Sequence, residues 1–193
     1  MKLSIANPQF ASQIRTIYAP FIQQGYITFE TELPDIQTFE KRITNYSEKY
    51  PWLVMEENGK IIGYAYASAY RERTAYQWVV ECSVYVDREY KKRGVASKLY
   101  AALFELLKAQ GIYKVYAVIT IPNSESVGFH ERLGFTWFAT YKNVGFKLDK
   151  WCDVGWWELT LTEAIAQQVP ETPILFPDLD QDLVKEILHK HSN

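Results

Sequence analysis

Cysteine is scarce: Cys82 and Cys152 are the only two among 193 residues, far apart and outside any Cys-x-x-Cys pattern. That excludes a cysteine-rich zinc site and a disulfide framework, and it fits a reducing compartment. Surplus charge of one sign is lacking too. Lys and Arg (21) nearly balance Asp and Glu (23), for a net charge of −2 and a pI near 6.0. No global positive field therefore favours nucleic acid. No run approaches the ~20 apolar residues of a membrane span, and no charged start leads into a long apolar segment. Walker A and G-x-G-x-x-G patterns are both missing. The expectation is a soluble, cytoplasmic protein with neither nucleic acid nor membrane as a partner.

What remains is an ordinary globular composition, 48% hydrophobic and 23% charged, enough for one domain with a proper core. The aromatic share, 16% with 14 Tyr and 6 Trp, supplies large buried area and also suits the lining of a small-molecule cleft. Asn7-Pro8 starts a helix that Gly25 stops, with Phe10, Ile14, Ile17 and Phe21 at helical spacing. A second helix is expected from Asp35 to Lys49, ended by Pro51. Trp52–Glu56 and Ile61–Tyr70 flank Asn58-Gly59 and read as a hairpin. Strand Trp78–Val86, a helix from Gly94 to Gln110, strand Lys114–Thr120, a short helix Ser124–Leu133 and strands Phe135–Lys142 and Val154–Leu161 follow. The order ααβββαβαββ predicts a mixed α/β sheet with helices on its faces. Residues 1–162 form the expected domain. Residues 163–193 read as an appended extension whose amphipathic segment runs from Leu179 to Leu188.

One loop carries chemistry. Val84–Val86 runs through a basic stretch, Lys91, Lys92 and Arg93, into Gly94, Val95, Ala96 and Ser97 at a helix start. Free N–H groups at a helix N-terminus, with its dipole, make an anion site that glycine lets a phosphate approach. A solvated basic loop with an incidental glycine accounts for the same pattern. Glu81 is the other singular residue: a charge in an apolar strand, where a period of two sets Glu81, Ser83 and Tyr85 on one face and Val80, Cys82, Val84 and Val86 on the other.

The segment Lys91-Lys-Arg-Gly94-Val-Ala96 resembles the coenzyme A loop of the GNAT superfamily of N-acetyltransferases. Asn123-Ser-Glu-Ser-Val-Gly-Phe-His-Glu-Arg-Leu-Gly-Phe135 resembles that superfamily's second hallmark. Ile27-Thr-Phe-Glu-Thr31, Glu81-Cys-Ser-Val-Tyr-Val86 and Gly145–Val154 resemble the phosphinothricin and methionine-sulfone/sulfoximine acetyltransferases among them. The resemblance implies a GNAT-like, mostly antiparallel sheet flanked by helices. It implies acetyl transfer from acetyl-CoA to the α-amino group of a small amino-acid-like acceptor, by a homodimer without a metal. Acetyl-CoA would lie along Val84, Tyr85 and Val86, the loop from Lys91 to Ser97, and Asn123 and Ser126.

An amine attacks a thioester only when neutral, so the site needs a base, and a partly buried carboxylate serves if burial moves its pKa toward neutrality. Glu81 is that base, against the alternative of a satisfied surface glutamate. His130 stands where many relatives carry a tyrosine acid, although a histidine beside Phe129 and Leu133 also fits a packing role. Arg71 and Arg73, near Tyr76, suit an acceptor carboxylate, with Phe29 and Glu30 as a wall of its cleft. Direct transfer needs no acyl-enzyme, so Cys82 and Cys152 read as small buried hydrophobes. Other readings are a protein N-terminus or polyamine as acceptor, or a non-catalytic coenzyme A-binding module that docks a partner through its C-terminal helix.

Overall fold

The computed structural model describes residues 1–162 and 169–192. It begins with strand β1 (Lys2–Ile5), helices α1 (Ala11–Gln23) and α2 (Ile36–Ser47), the hairpin β2 (Trp52–Glu57) and β3 (Lys60–Ala69), and strand β4 (Val79–Val86). Helix α3 (Val95–Ala109), strand β5 (Lys114–Ile121), helix α4 (Ser124–Arg132), strands β6 (Thr136–Lys147) and β7 (Lys150–Thr160), and helix α5 (Gln181–Ser192) complete it. Caps set the helix starts. Asn7 accepts from Gln9 N ahead of the turn that leads into α1, and the Asp35 carboxylate accepts from Thr38 N at 2.7 Å to open α2.

The strands form a seven-stranded mixed sheet in the order β1-β2-β3-β4-β5-β7-β6. One face receives α1 and α2, where Ile14, Ile17, Phe39 and Ile43 bury against Trp52, Val54 and Tyr64. The opposite face receives α3, whose Leu99, Leu103, Leu106 and Leu107 pack with Ala65, Val80 and Val115. The two faces of β4 are those expected: Val80, Cys82, Val84 and Val86 join the α3 core, while Tyr85 packs with the α1 cluster.

The feature that shapes the site is a split in the sheet. β4 and β5, the one parallel pair among those described, are in register at Val79 with Lys114, Val80 with Val115 and Glu81 with Tyr116, and no further. β4 stays paired with β3 out to Val86, and β5 with β7 out to Ile121. Beyond Glu81 the two strands diverge, and the inner edge of β4 has no strand partner.

Three expectations are corrected. β1 was not anticipated; it is four residues long with only Leu3 buried. The last two strands are longer and meet in a tight hairpin at Leu148 and Asp149, both at positive φ (48° and 58°), a turn without the Asn-Gly signal. The C-terminal segment is no appendage: Phe176, Leu179, Val184 and Ile187 are buried in the α3 core. Trp78 Nε1 donates to Glu171 O at 2.8 Å, Gln110 Nε2 to Lys49 O and Ile174 O at 2.8 and 2.7 Å, and Leu3 N to Ser192 Oγ at 3.0 Å. Helix α5 therefore spends Val184 and Ile187 of its apolar face on its own domain. The first residues of the expected extension, 163–168, lie outside the described residues.

Candidate active site

Where β4 and β5 part, a cleft of about 350 Å³ runs through the sheet. Its α3 side is lined by Cys82, Val84, Ala117 and Ile119, and its other side by Ser83, Tyr85, Val118 and Thr120. At the mouth stand Lys91, Lys92, Gly94, Val95, Ala96 and Ser97, with Asn123, Ser126 and His130 of the α4 region along one wall. Gly94 caps α3 at φ 80°, a left-handed conformation that glycine adopts without strain. A Cβ there would meet nothing within 4 Å, so the helix N-terminus opens onto free space. The first N–H groups of α3 have no carbonyl ahead of them in the helix and can bind an anion.

The charges around this mouth are distributed unevenly. Lys91 lines the cleft and pairs with Glu125 at 3.1 Å. Arg93 is not among the lining residues: its guanidinium pairs with Glu57 at 2.9 Å and covers the Tyr90 ring. Asn123 accepts from Ser126 N at 3.1 Å and so caps α4 from within the cleft wall. Tyr85 turns its ring away, stacking with Tyr64 and meeting Tyr18 and Phe21 edge-on, which leaves its backbone to the cleft.

Glu81 sits at the last paired position of β4, at the root of the split. Burial pushes its carboxyl above the ordinary glutamate value, and the charge of Arg71 pulls it part of the way back. His130 is 6% exposed, and burial lowers its pKa, so the ring is neutral at pH 7. Its Nδ1 lies 2.8 Å from the carbonyl of Ser126 and must carry the proton to donate there. Nε2 is then the acceptor, 3.4 Å from the Tyr100 hydroxyl. Tyr100, which the sequence reading missed, also hydrogen-bonds the Cys82 thiol, itself pushed up to about 12 by burial. A thiol held that high is no nucleophile. Burial disfavours the charged ring, and the Nδ1 proton is committed to the Ser126 carbonyl, so the face of His130 toward Tyr100 is an acceptor.

The residues expected for the acceptor lie on the sheet face away from α3. The Arg71 guanidinium covers the Tyr70 ring at 5.0 Å; Tyr76 meets Tyr70 edge-on; Arg73 caps the short turn Thr74–Tyr76 and is exposed. Phe29 and Glu30 are held by other contacts, to the β6–β7 hairpin and to α2, and neither lines the cleft. Lys147 Nζ donates to Thr28 O at 2.7 Å, the Phe29 ring covers Gly145, where a Cβ would collide with it, and Glu30 pairs with Arg42 at 2.6 Å. Among the described residues no group of three or more His, Cys, Asp or Glu is placed to hold a metal ion, and no helix is long and apolar enough to cross a membrane.

The sheet splits at a parallel strand pair, and the glycine-opened helix at its mouth and the carboxylate at its root are what the resemblance to N-acetyltransferases leads one to expect. Residues 3–156 match the acetyltransferase (GNAT) domain. The chain is 39% identical over 138 residues to the phosphinothricin N-acetyltransferase of Streptomyces viridochromogenes, covering 72% of this chain and 75% of that protein. It is 36% identical over 117 residues to an L-methionine sulfoximine/L-methionine sulfone acetyltransferase of Salmonella typhimurium, covering 61% of this chain and 68% of that one. The crystal structure of a phosphinothricin acetyltransferase from Sinorhizobium meliloti, in complex with AcCoA, superposes with a TM-score of 0.83 at 32% identity over 90% of this chain and 97% of that one. The chain belongs to the GNAT family and is an acetyl-transferring enzyme.

Proposed function

We propose that the enzyme moves the acetyl group of acetyl-CoA to the α-amino group of a small amino acid by direct attack. The observation that carries this reading is the cleft through the β4–β5 split, which runs from the α3 N-terminus to Ser83, two residues beyond Glu81 on the same face of β4. GNAT acetyltransferases use acetyl-CoA, and the residues present fit it: free space at Gly94 beside the α3 N–H groups for a pyrophosphate, and an unpaired β4 edge for a pantetheine arm. Acetyl-CoA supplies the acyl group and a thiolate leaving group. Backbone N–H groups of Val84 to Val86 hold the arm and the thioester carbonyl. Glu81, ionised, takes a proton from the acceptor ammonium, directly or through one water. The amine then forms the new C–N bond as the C–S bond breaks, the electron pair leaves on sulfur, and the second amine proton passes to that thiolate through water to give the free thiol of CoA. His130 accepts the Tyr100 hydroxyl proton and so fixes that side chain in the cleft wall, a positioning role rather than a store of protons.

Arg71 and Arg73 give the acceptor carboxylate its partners, which favours an amino acid over a polyamine, whose charges call for carboxylates. Val144, Phe146, Leu148 and Trp151 leave an apolar, exposed surface at the β6–β7 hairpin, of the kind that a second copy covers. That supports the homodimer. The test is CoA release from acetyl-CoA with L-amino acids, methionine sulfone, phosphinothricin, polyamines and short peptides as acceptors. Turnover confined to free amino acids is expected, and turnover only with peptides or polyamines overturns the reading.

A further inference from the structure

Beyond Glu81, the sheet face that α1 and α2 leave uncovered carries aromatic rings where solvent-facing strands ordinarily carry polar groups. Tyr70 follows β3, Tyr116 lies on β5, Phe138 and Tyr141 on β6, Trp156 on β7, and Tyr76 in the short turn before β4. They touch in sequence: ring centroids are 5.7 Å apart for Tyr76–Tyr70, 5.0 Å for Tyr70–Tyr116, 5.3 Å for Tyr116–Phe138, 6.0 Å for Tyr116–Trp156 and 5.5 Å for Trp156–Tyr141. Phe138 and Tyr141 are 46% and 47% exposed, so the surface is open on its outer side.

Three placements tie this surface to the chemistry. Tyr116 is the register partner of Glu81. Arg71 covers Tyr70 at the near edge. Val118, which lines the cleft, is the register partner of Trp156, so cleft and ring surface meet there. The indole Nε1 of Trp156 is moreover buried without a hydrogen-bond partner, an arrangement that asks for an explanation.

We propose that these six rings are the subsite for the acceptor's side chain, and that the preferred acceptors are amino acids with a large neutral side chain, aromatic ones foremost. The inference rests on the reading of the site given above. An acceptor whose carboxylate is held by Arg71 and whose amino group reaches Glu81 has its side chain directed over Tyr70, Tyr116 and Trp156. Ring faces carry negative potential and favour C–H edges, sulfur and other rings. A side-chain phosphinate would lay a second negative charge on those faces.

The test compares kcat/KM for L-tryptophan, L-phenylalanine, methionine sulfone, L-alanine and phosphinothricin, for the full chain and for Phe138→Ala and Tyr141→Ala, both at exposed positions. L-tryptophan is expected to exceed L-alanine and phosphinothricin at least tenfold, and either substitution to shrink that ratio at least fivefold, through KM. Alanine or phosphinothricin turning over as well as tryptophan overturns the proposal. So do substitutions that leave the ratio intact; if they also change the sedimenting mass, the rings belong to a second copy of the chain. Turnover of no amino acid, with acetyl-CoA still bound, overturns the reading of the site along with this one.

Discussion

Glu81 has to be ionised to accept a proton, and its surroundings resist ionisation: burial raises its pKa and Arg71 alone among its charged neighbours lowers it. Activity is therefore expected to fall as pH drops through a value above the ordinary glutamate range. Replacing Arg71 with alanine removes the lowering charge, so the acid limb of kcat against pH must move to higher pH, alongside a raised KM for the acceptor. A limb that moves down, or stays put, would mean that Arg71 does not face the base. Glu81→Gln should cost about 10²-fold or more in kcat and erase the limb. His130 behaves differently. Its ring is neutral and its contribution is the hydrogen bond that fixes Tyr100, so His130→Phe should lower kcat by about tenfold, the worth of one such bond. The acid limb should remain where Glu81 sets it; a displaced limb would give the catalytic proton to His130.

At the scale of elements, the α3 N-terminus makes the sharpest prediction. Gly94→Val places a β-branched side chain at φ 80° and fills the space in front of the helix. KM for acetyl-CoA should rise at least about tenfold, since strain and lost anion contact act together, with the KM of the acceptor far less affected. Equal changes in both would detach the loop from coenzyme A binding. Elements of this kind were legible in the sequence because their signals are local: Asn7-Pro8 and Asp35 at helix starts, Asn58-Gly59 in a hairpin, Gly94 before an apolar stripe, and the alternation that gave Glu81 its face. The rest depends on partners distant in the chain. Lys2–Ile5 becomes a strand through β2, and the split follows from β4 and β5 holding different neighbours. Tyr100 reads as one more member of a leucine-rich stripe until α4 brings His130 beside it. Tyr70, Tyr116 and Trp156 are separated by tens of residues, and only the sheet order makes them one surface.

For the whole molecule, the C-terminal segment raises a question of balance, because a sheet split between β4 and β5 is held there by only three register pairs. The segment fastens α3 to elements on the β4 side of that split. It takes Trp78 just ahead of β4, Gln110 at the end of α3, Leu3 on β1 and Glu105 of α3, which receives Lys190 and His191 at 2.7 and 3.0 Å. Exposed ion pairs such as the last two contribute little; the hold lies in Val184, Ile187, Leu179 and Phe176, all buried in the α3 core. Ile187→Ala should accordingly cost about 2–4 kcal/mol, and lower Tm by on the order of 5–15 °C for a chain of this size. Because α5 touches α3 on the side away from the cleft, kcat and both KM values at 25 °C should stay within about twofold of the parent. Thermal unfolding followed beside steady-state rates separates two roles for this segment. A lowered Tm with intact kinetics makes it a brace for α3 and the β1–β4 half of the sheet, whereas a raised KM for acetyl-CoA at unchanged Tm would mean that α5 sets the position of the α3 N-terminus instead.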